Sequence, residues 1–215
     1  MDGRVERGHI ALLGDSILDN GGYTSGGPDV ISQLREMLPP SWRASLLAVD
    51  GSMIADLPDQ LVKLPSDTSH LVITIGGNDV LASMELMRSP ARSVADALLK
   101  LGDRAGRFER AYRTMIGRVR RLGLTTTVCT IYNGNLSRDE AAVARVGLTA
   151  FNDVILRVAF EASFRVIDLR LVCSEPSDYA NPIEPSSAGG EKIARAILAS
   201  LELTRRPMEH SKVYS

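Results

Sequence analysis

The sequence predicts an α/β fold, a three-layer α/β/α sandwich in which helices cover both faces of a parallel five-stranded sheet. Two observations predict it: strand-like apolar runs alternate with helical stretches along the 215 residues, and a glycine or small polar residue ends most of the runs. Strict βα alternation is typical of a parallel sheet covered on both faces. We find no internal repeat and no linker, and therefore expect one domain over residues 1–215, with a core at about 9–203 and a flexible tail at 204–215.

Each element follows from its local pattern. The strands are short apolar or β-branched runs, and the helices are longer amphipathic stretches. The predicted strands are 9–13, 45–49, 71–75, 125–131 and 165–169. The predicted helices are 29–38, 55–64, a short stretch after the third strand, 93–122, 138–161 and 190–203. Asp29 stands where a helix N-cap is expected.

The composition excludes several classes of protein. The formal net charge is -1 and the chain has no basic stripe, so we expect no nucleic-acid partner. No window reaches the roughly 18 apolar residues of a membrane span, and residues 1–8 lack the apolar core of a secretory signal. Cys129 and Cys173 lie in or beside apolar runs, which indicates buried thiols and a cytoplasmic location. No Cys/His cluster has metal-ligand spacing, so we expect neither a metal nor a cofactor.

Polar and glycine residues follow three predicted strands at one edge of the sheet. The segments are Gly14-Asp15-Ser16, Asp50-Gly51-Ser52 and Gly76-Gly77-Asn78-Asp79. Open α/β folds bind ligands at the carboxyl ends of their strands. The three segments together offer a hydroxyl, a bare glycine backbone and an amide there. That set suits acyl transfer, which needs a nucleophile and donors for a developing oxyanion.

At these residues the chain resembles the SGNH/GDSL hydrolases, over nearly its whole length. Gly14-Asp15-Ser16 is similar to the family's first block, Gly51 to the glycine of its second, and Gly76-Gly77-Asn78-Asp79 to its third. The resemblance implies a flavodoxin-like sheet, Ser16 as the nucleophile, and an oxyanion hole formed by the Ser16 amide, the Gly51 amide and the Asn78 side chain. It implies a small acyl ester as substrate. We expect Asp15 and Asp79 to support the turns by accepting backbone hydrogen bonds.

The chain departs from the family where the catalytic histidine is expected. Family members carry D-x-x-H-P before the last helix. Alignment on Pro185, Gly189 and Ala194 puts Glu184 at the histidine position and Asn181 at the aspartate position.

A shifted frame that starts at Asp178 is the alternative to this alignment. It places Asn181, followed by Pro182, at the histidine position, and it also contains no histidine. Asp178 and Glu175 are further acidic candidates in the same loop.

None of the three histidines of the chain is expected to replace the missing one. His9 and His70 begin the first and third strands, so a full strand, on the order of 15 Å, separates them from Ser16. His210 lies in the polar tail. We expect surface or strand-end roles for all three.

Glu184 is the candidate general base. A free glutamate titrates near 4.3, about two pKa units below histidine, but burial can raise the pKa of a carboxyl group by several units. An asparagine at position 181 would orient this carboxyl without the repulsion that an aspartate would add. The alternative is that Glu184 is a solvated loop residue. The functional hypothesis is a serine hydrolase of esters or thioesters; the alternatives are a ligand-binding protein on the same scaffold, and acyl transfer or lyase chemistry at the same site.

Overall fold

The computed structural model describes residues 7–84 and 89–201. Five strands form one sheet in the order β2-β1-β3-β4-β5, and every neighbouring pair is parallel. The strands are β1 (Gly8–Gly14), β2 (Trp42–Leu46), β3 (His70–Thr74), β4 (Thr125–Cys129) and β5 (Arg165–Ile167). The predicted parallel five-stranded sheet is confirmed.

Seven α-helices and several short 3₁₀ turns connect the described strands. The helices are α1 (Val30–Met37), α2 (Leu57–Leu61), α3 (Gly77–Leu81), α4 (Val94–Arg120), α5 (Arg138–Glu161), α6 (Leu169–Val172) and α7 (Ser187–Ser200). The 3₁₀ turns include Gly21–Tyr23, Ile54–Asp56 and Pro176–Asp178. Asp29 caps α1 as predicted, because its side chain accepts a hydrogen bond from the Ser32 N–H. The tail 204–215 lies outside the described residues.

The core lies in two layers, one on each face of the sheet. Successive side chains of a strand point to opposite faces, and β1 shows this directly. Ile10 and Leu12 pack on the face covered by α1 and α7, whereas Ala11 and Leu13 pack on the face covered by α4 and α5. Four neighbouring β1 residues are therefore fully buried, which fixes the strand whose end carries Ser16.

The second strand ends earlier than the sequence indicates. The prediction was 45–49, but β2 is Trp42–Leu46. The apolar run continues beyond it, yet the N–H groups of Leu47 and Ala48 both donate to the Leu12 carbonyl, at 2.8 and 2.9 Å. Two donors on one acceptor break the ladder, so the run ends in a turn that leads to Gly51.

The last helix begins three residues before its predicted start, at Ser187 rather than at 190. Two glycines in its first turn disfavour a helix by propensity alone. Ser186 overcomes this by capping the helix, since its hydroxyl accepts from the Gly189 N–H at 3.2 Å. A Cβ on Gly189 would lie 2.1 Å from the Asp178 carbonyl oxygen. The glycine therefore lets the loop before α7 pack directly on the helix.

Both cysteines are buried free thiols, as expected from their apolar surroundings. Burial raises the pKa of Cys173 to about 12 and raises that of Cys129 further. Within the described ranges, no helix combines the length and the apolarity needed to cross a bilayer.

Candidate active site

Ser16 lies in a tight turn directly after β1. Gly14 ends the strand with φ +127°, and a Cβ there would lie 1.5 Å from the Thr74 carbonyl oxygen of the neighbouring strand. Only glycine fits that approach. The chain can therefore turn at the sheet edge and hold Ser16, 7% exposed, beside the ends of β2 and β3.

Gln60 of α2 fixes the backbone of this turn. Its Oε1 accepts from the Gly14 N–H at 2.7 Å, and its Nε2 donates to the Gly14 carbonyl at 2.8 Å. The same Nε2 lies 3.1 Å from the Ser52 hydroxyl. Gln60 is buried, so it ties the first polar segment to the second. Sequence reasoning missed this residue, because nothing local distinguishes it from any other helical glutamine.

The second and third segments are joined in a similar way. Asn78 Nδ2 donates to the Ser52 carbonyl at 2.9 Å, and Asp79 Oδ2 accepts from the Ile54 N–H at 3.0 Å. Burial raises the pKa of Asp79. This bond uses one of the two N–H donors of the Asn78 amide and fixes its side chain. Gly51 occupies an exposed turn with φ +79° directly before Ser52.

Asp15 is buried under the serine turn. Its Oδ1 accepts from the Thr74 hydroxyl at 3.0 Å and from the Ile17 N–H at 3.3 Å. Burial raises the pKa of Asp15 to about 7, against the effect of these two hydrogen bonds, and the nearby charge of Glu184 adds to the rise. Two carboxyl groups therefore interact close to Ser16.

The Glu184 carboxyl lies near the Ser16 side chain, and the residue is 9% exposed. Burial raises the pKa of Glu184, the Ser16 hydroxyl opposes that rise, and the charge of Asp50 supports it. Oε2 is buried, with no hydrogen-bond partner among the described residues. A carboxylate with one oxygen near a hydroxyl and one unsatisfied oxygen has a strong tendency to take a proton.

The loop that carries Glu184 is held from several sides. The Tyr132 hydroxyl donates to the Ile183 carbonyl at 2.5 Å, and the Asn135 N–H donates to the Pro182 carbonyl at 2.8 Å. Asn181 Oδ1 accepts from the N–H groups of Ile183 and Glu184, both at 2.9 Å. The sequence hypothesis has Asn181 orient the carboxyl group of Glu184. In the structure, Asn181 contacts the backbone N–H of Glu184 instead.

Asn20 joins this loop to the segment after Ser16. It is fully buried, its Oδ1 accepts from the Val30 N–H at 2.9 Å, and its Nδ2 donates to the Pro185 carbonyl at 3.3 Å. The contact with Pro185 spans 165 residues of sequence, which is why a local pattern did not single out Asn20.

The other acidic candidates of the loop have different partners. Asp178 is fully buried, forms an ion pair with Lys192 of α7 at 2.7 Å and accepts from the Glu175 N–H at 3.0 Å. These contacts stabilise the start of the loop. Of the acidic residues considered at the sequence level, Glu184 is the one whose side chain meets Ser16.

The two described histidines lie at the opposite ends of their strands. His9 Nδ1 contacts Asp67 at 3.0 Å and Nε2 contacts Ser45 at 2.8 Å, and burial lowers the pKa of His9. His70 contacts the Ser69 hydroxyl at 2.8 Å and packs on Trp42. The expected strand-end roles of both are confirmed. His210 is outside the described residues. In the part of the chain that the structure describes, no three His, Cys, Asp or Glu residues are grouped to hold a metal ion.

Comparison with known proteins decides the family. The GDSL-like lipase/acylhydrolase family matches residues 12–192. The chain belongs to that family. Its members are ester-hydrolysing enzymes, and this level of the predicted function is confirmed. A comparison with curated proteins gave no match.

Solved structures of lipases and esterases share the fold. The extracellular lipase of Streptomyces rimosus superposes with TM-score 0.67 at 16% identity, covering 90% of this chain and 99% of that one. Phospholipase A1 of Streptomyces albidoflavus gives TM-score 0.66 at 18% identity, with 91% and 100% covered. An acetyl xylan esterase of Geobacillus stearothermophilus gives 0.62 at 19%, with 93% and 97% covered.

Proposed function

We propose that this GDSL-family protein is a serine hydrolase of carboxylic esters or thioesters, in which Glu184 replaces the usual histidine base. The observation that carries the proposal is the contact between the Ser16 side chain and a buried Glu184 carboxyl whose second oxygen is unsatisfied. A nucleophile within hydrogen-bonding range of a base is the arrangement that nucleophilic catalysis requires.

The reaction begins when the Ser16 oxygen attacks the ester carbonyl carbon and Glu184 takes the hydroxyl proton. The carbonyl oxygen becomes an oxyanion, which accepts hydrogen bonds from the N–H groups of Ser16 and Gly51 and from Asn78 Nδ2. The intermediate collapses, the bond to the alcohol or thiol breaks, and the leaving group takes the proton from Glu184. Water then repeats the sequence on acyl-Ser16.

The base and the oxyanion donors would each contribute substantially to the rate. A general base contributes about 10²–10⁴-fold to rate, and an oxyanion donor about 10²–10³-fold. Burial raises the pKa of Glu184 and so makes it a better proton acceptor than a solvated glutamate. The hydrogen bonds from Tyr132 and Asn135 to the loop would keep that acceptor near Ser16 before substrate binds.

Trapping the acyl-enzyme tests the proposal. Wild-type protein, mixed with a p-nitrophenyl ester and quenched in acid, is expected to gain the mass of one acyl group on the peptide that contains Ser16. Ser16→Ala should lose both the adduct and turnover, whereas Ser174→Ala, an exposed serine of the loop before α7, should keep both. Turnover without an adduct, and equal in Ser16→Ala, would exclude the serine mechanism.

The same experiment separates the alternatives. A chain that binds the ester without adduct or product is a binding protein on this scaffold. Product analysis with a competing alcohol distinguishes hydrolysis from acyl transfer, since only transfer gives the new ester. The cytoplasmic location is a separate proposal, tested by fractionation of expressing cells.

A further inference from the structure

An apolar cleft is lined by chain neighbours of the proposed site residues. Gly77, Tyr132 and Ile183 are among its lining residues. Gly77 immediately precedes Asn78, and Ile183 immediately precedes Glu184. The cleft therefore adjoins the two residues that the proposed mechanism places around the ester carbonyl.

The walls of the cleft are almost entirely hydrocarbon. They come from α3, α4, α5 and the segment after β4. The main wall residues are Val80, Leu101, Ile131, Leu148 and Phe151. Its volume is about 130 Å³, close to the roughly 150 Å³ of a cavity that accepts benzene. The space therefore suits an uncharged hydrocarbon group of about six carbons.

We propose that this cleft binds the acyl chain of the substrate, and that the preferred substrates are esters of medium-length aliphatic acids. This inference rests on the proposed function. The leaving alcohol must take a proton from Glu184 and depart into water. Tyr23 and the exposed Asp50, which are not among the lining residues of the cleft, suit it, because they form a polar pair joined by a 2.7 Å hydrogen bond and the charge of Asp50 reaches Glu184. The acyl chain needs no water and gains by leaving it.

The cleft shares the lining residues Leu101 and Gly147 with an apolar groove between α4 and α5, where Leu98 is 59% and Val146 is 65% exposed. We expect a chain longer than the cleft to continue along this groove. Chain length should therefore raise the rate up to about six carbons and then have little further effect.

A series of p-nitrophenyl esters from acetyl to dodecanoyl tests the preference. We expect kcat/KM to rise about fourfold for each added methylene, which corresponds to about 0.8 kcal/mol of apolar burial, up to about the hexanoyl ester. A plateau should follow. Equal or higher kcat/KM for the acetyl ester would overturn the inference while leaving the serine mechanism intact.

A wall substitution locates the effect in the cleft. Ala144 of α5 lines the cleft, and Ala144→Leu should lower the ratio of hexanoyl to acetyl kcat/KM at least tenfold by filling it. Ala95→Leu, on the exposed start of α4, adds the same volume outside the cleft and should keep the wild-type ratio. An unchanged ratio in Ala144→Leu, in protein that melts cooperatively, would place the acyl chain elsewhere.

A binding measurement is independent of turnover. Ser16→Ala should bind 2-octanone, a neutral ketone with a six-carbon chain, with saturable NMR shifts at the methyl groups of Leu148 and Ile183. Ala144→Leu added to this variant should abolish the shifts. Shifts without ester turnover in the wild type would contradict the proposed function alone, and absence of shifts would contradict the acyl site alone.

Discussion

The Tyr132 hydroxyl donates a 2.5 Å hydrogen bond to the carbonyl of Ile183, the residue before Glu184. Tyr132 is buried, and its ring packs edge-on against Tyr179 at a centroid distance of 5.2 Å. The loop that carries Glu184 is therefore anchored to the end of β4, and the position of the carboxyl depends on this anchor.

Tyr132→Phe tests the anchor. Loss of the hydrogen bond should lower the free energy of unfolding by about 1 kcal/mol and, because the carboxyl is held less precisely, should lower kcat on the order of tenfold. Tyr179→Phe is the matched control, since its hydroxyl donates to the Cys173 carbonyl at 2.7 Å, away from Glu184. It should cost similar stability with little loss of kcat. Equal losses of kcat in both variants would contradict the anchoring role.

Asp15 makes stability depend on pH. Burial raises its pKa from 3.8 to about 7 in the folded chain. The folded state thus holds a proton that the unfolded state releases near pH 4, so the contribution of Asp15 to stability is greatest below pH 4 and declines as pH rises to about 7. Asp15→Asn keeps an oxygen for Thr74 and Ile17 and has no proton to lose.

The free energies of unfolding of both proteins at pH 5 and pH 8 give the measurement. Relative to Asp15→Asn, the wild type should lose about 2–3 kcal/mol between these two pH values. If urea unfolding gives the same change in the free energy of unfolding for both proteins between pH 5 and pH 8, Asp15 is ionised throughout this range in the folded protein.

The charge of Asp50 should set the acid limb of activity. Catalysis by Glu184 requires its ionised form, so kcat/KM should rise with pH through a midpoint above the usual range of glutamate, because burial and Asp50 raise the pKa of Glu184. Asp50→Asn keeps an acceptor for the Tyr23 hydroxyl but removes the charge, and should move the midpoint to lower pH. High salt should shrink the difference between the two proteins.

Asp59→Asn, at an exposed position on α2, controls for the change in net charge. Its midpoint should match the wild type. A shift of the same size in Asp59→Asn and Asp50→Asn would assign the effect to net charge rather than to the neighbourhood of Glu184.

Gln60→Met should be strongly destabilising. The variant fills the same space, but it removes the acceptor of the buried Gly14 N–H, at about 1–3 kcal/mol. The Gly14 carbonyl loses one donor and keeps the Val49 N–H at 3.0 Å. Gln33→Met provides the comparison, because Gln33 Nε2 donates to the Pro28 and Ser187 carbonyls at partly buried positions that water can reach. Urea unfolding should show the larger loss for Gln60→Met, and the reverse order would remove Gln60 from its role at the serine turn.

Local patterns predicted the sheet and the three polar segments, because each depends on residues close in sequence. The buried run of β1 and its terminal glycine are examples. Local patterns placed the end of β2 three residues late. The strand ends where the N–H groups of Leu47 and Ala48 both donate to the Leu12 carbonyl, and this contact with β1 has no local signal. They started α7 late, since the packing of Gly189 on Asp178 outweighs the low helix propensity of glycine.

The residues that follow the strands were more predictable than the loop that carries Glu184. Ser16, Gly51 and Asn78 follow strands, so their shared edge is a consequence of the parallel sheet. The family alignment put Glu184 at the histidine position, but the position of its carboxyl near Ser16 depends on the loop conformation, which contacts from Tyr132, Asn135 and Asn20 support from distant segments. Gln60 had no local signal, because its partner Gly14 lies 46 residues away.

The rate at which a fluorophosphonate labels Ser16 tests the Ser16–Glu184 pair most directly, since it reports nucleophile activation without any assumption about the ester. We predict labelling of the wild-type protein at Ser16 and labelling at least about 100-fold slower in Glu184→Gln. Glu184→His should retain part of the wild-type labelling rate. The control Glu191→Gln, at an exposed glutamate of α7 that pairs with Arg195, should label at the wild-type rate. Labelling of Glu184→Gln at the wild-type rate would contradict the account, because Ser16 would then be activated without the carboxylate beside it.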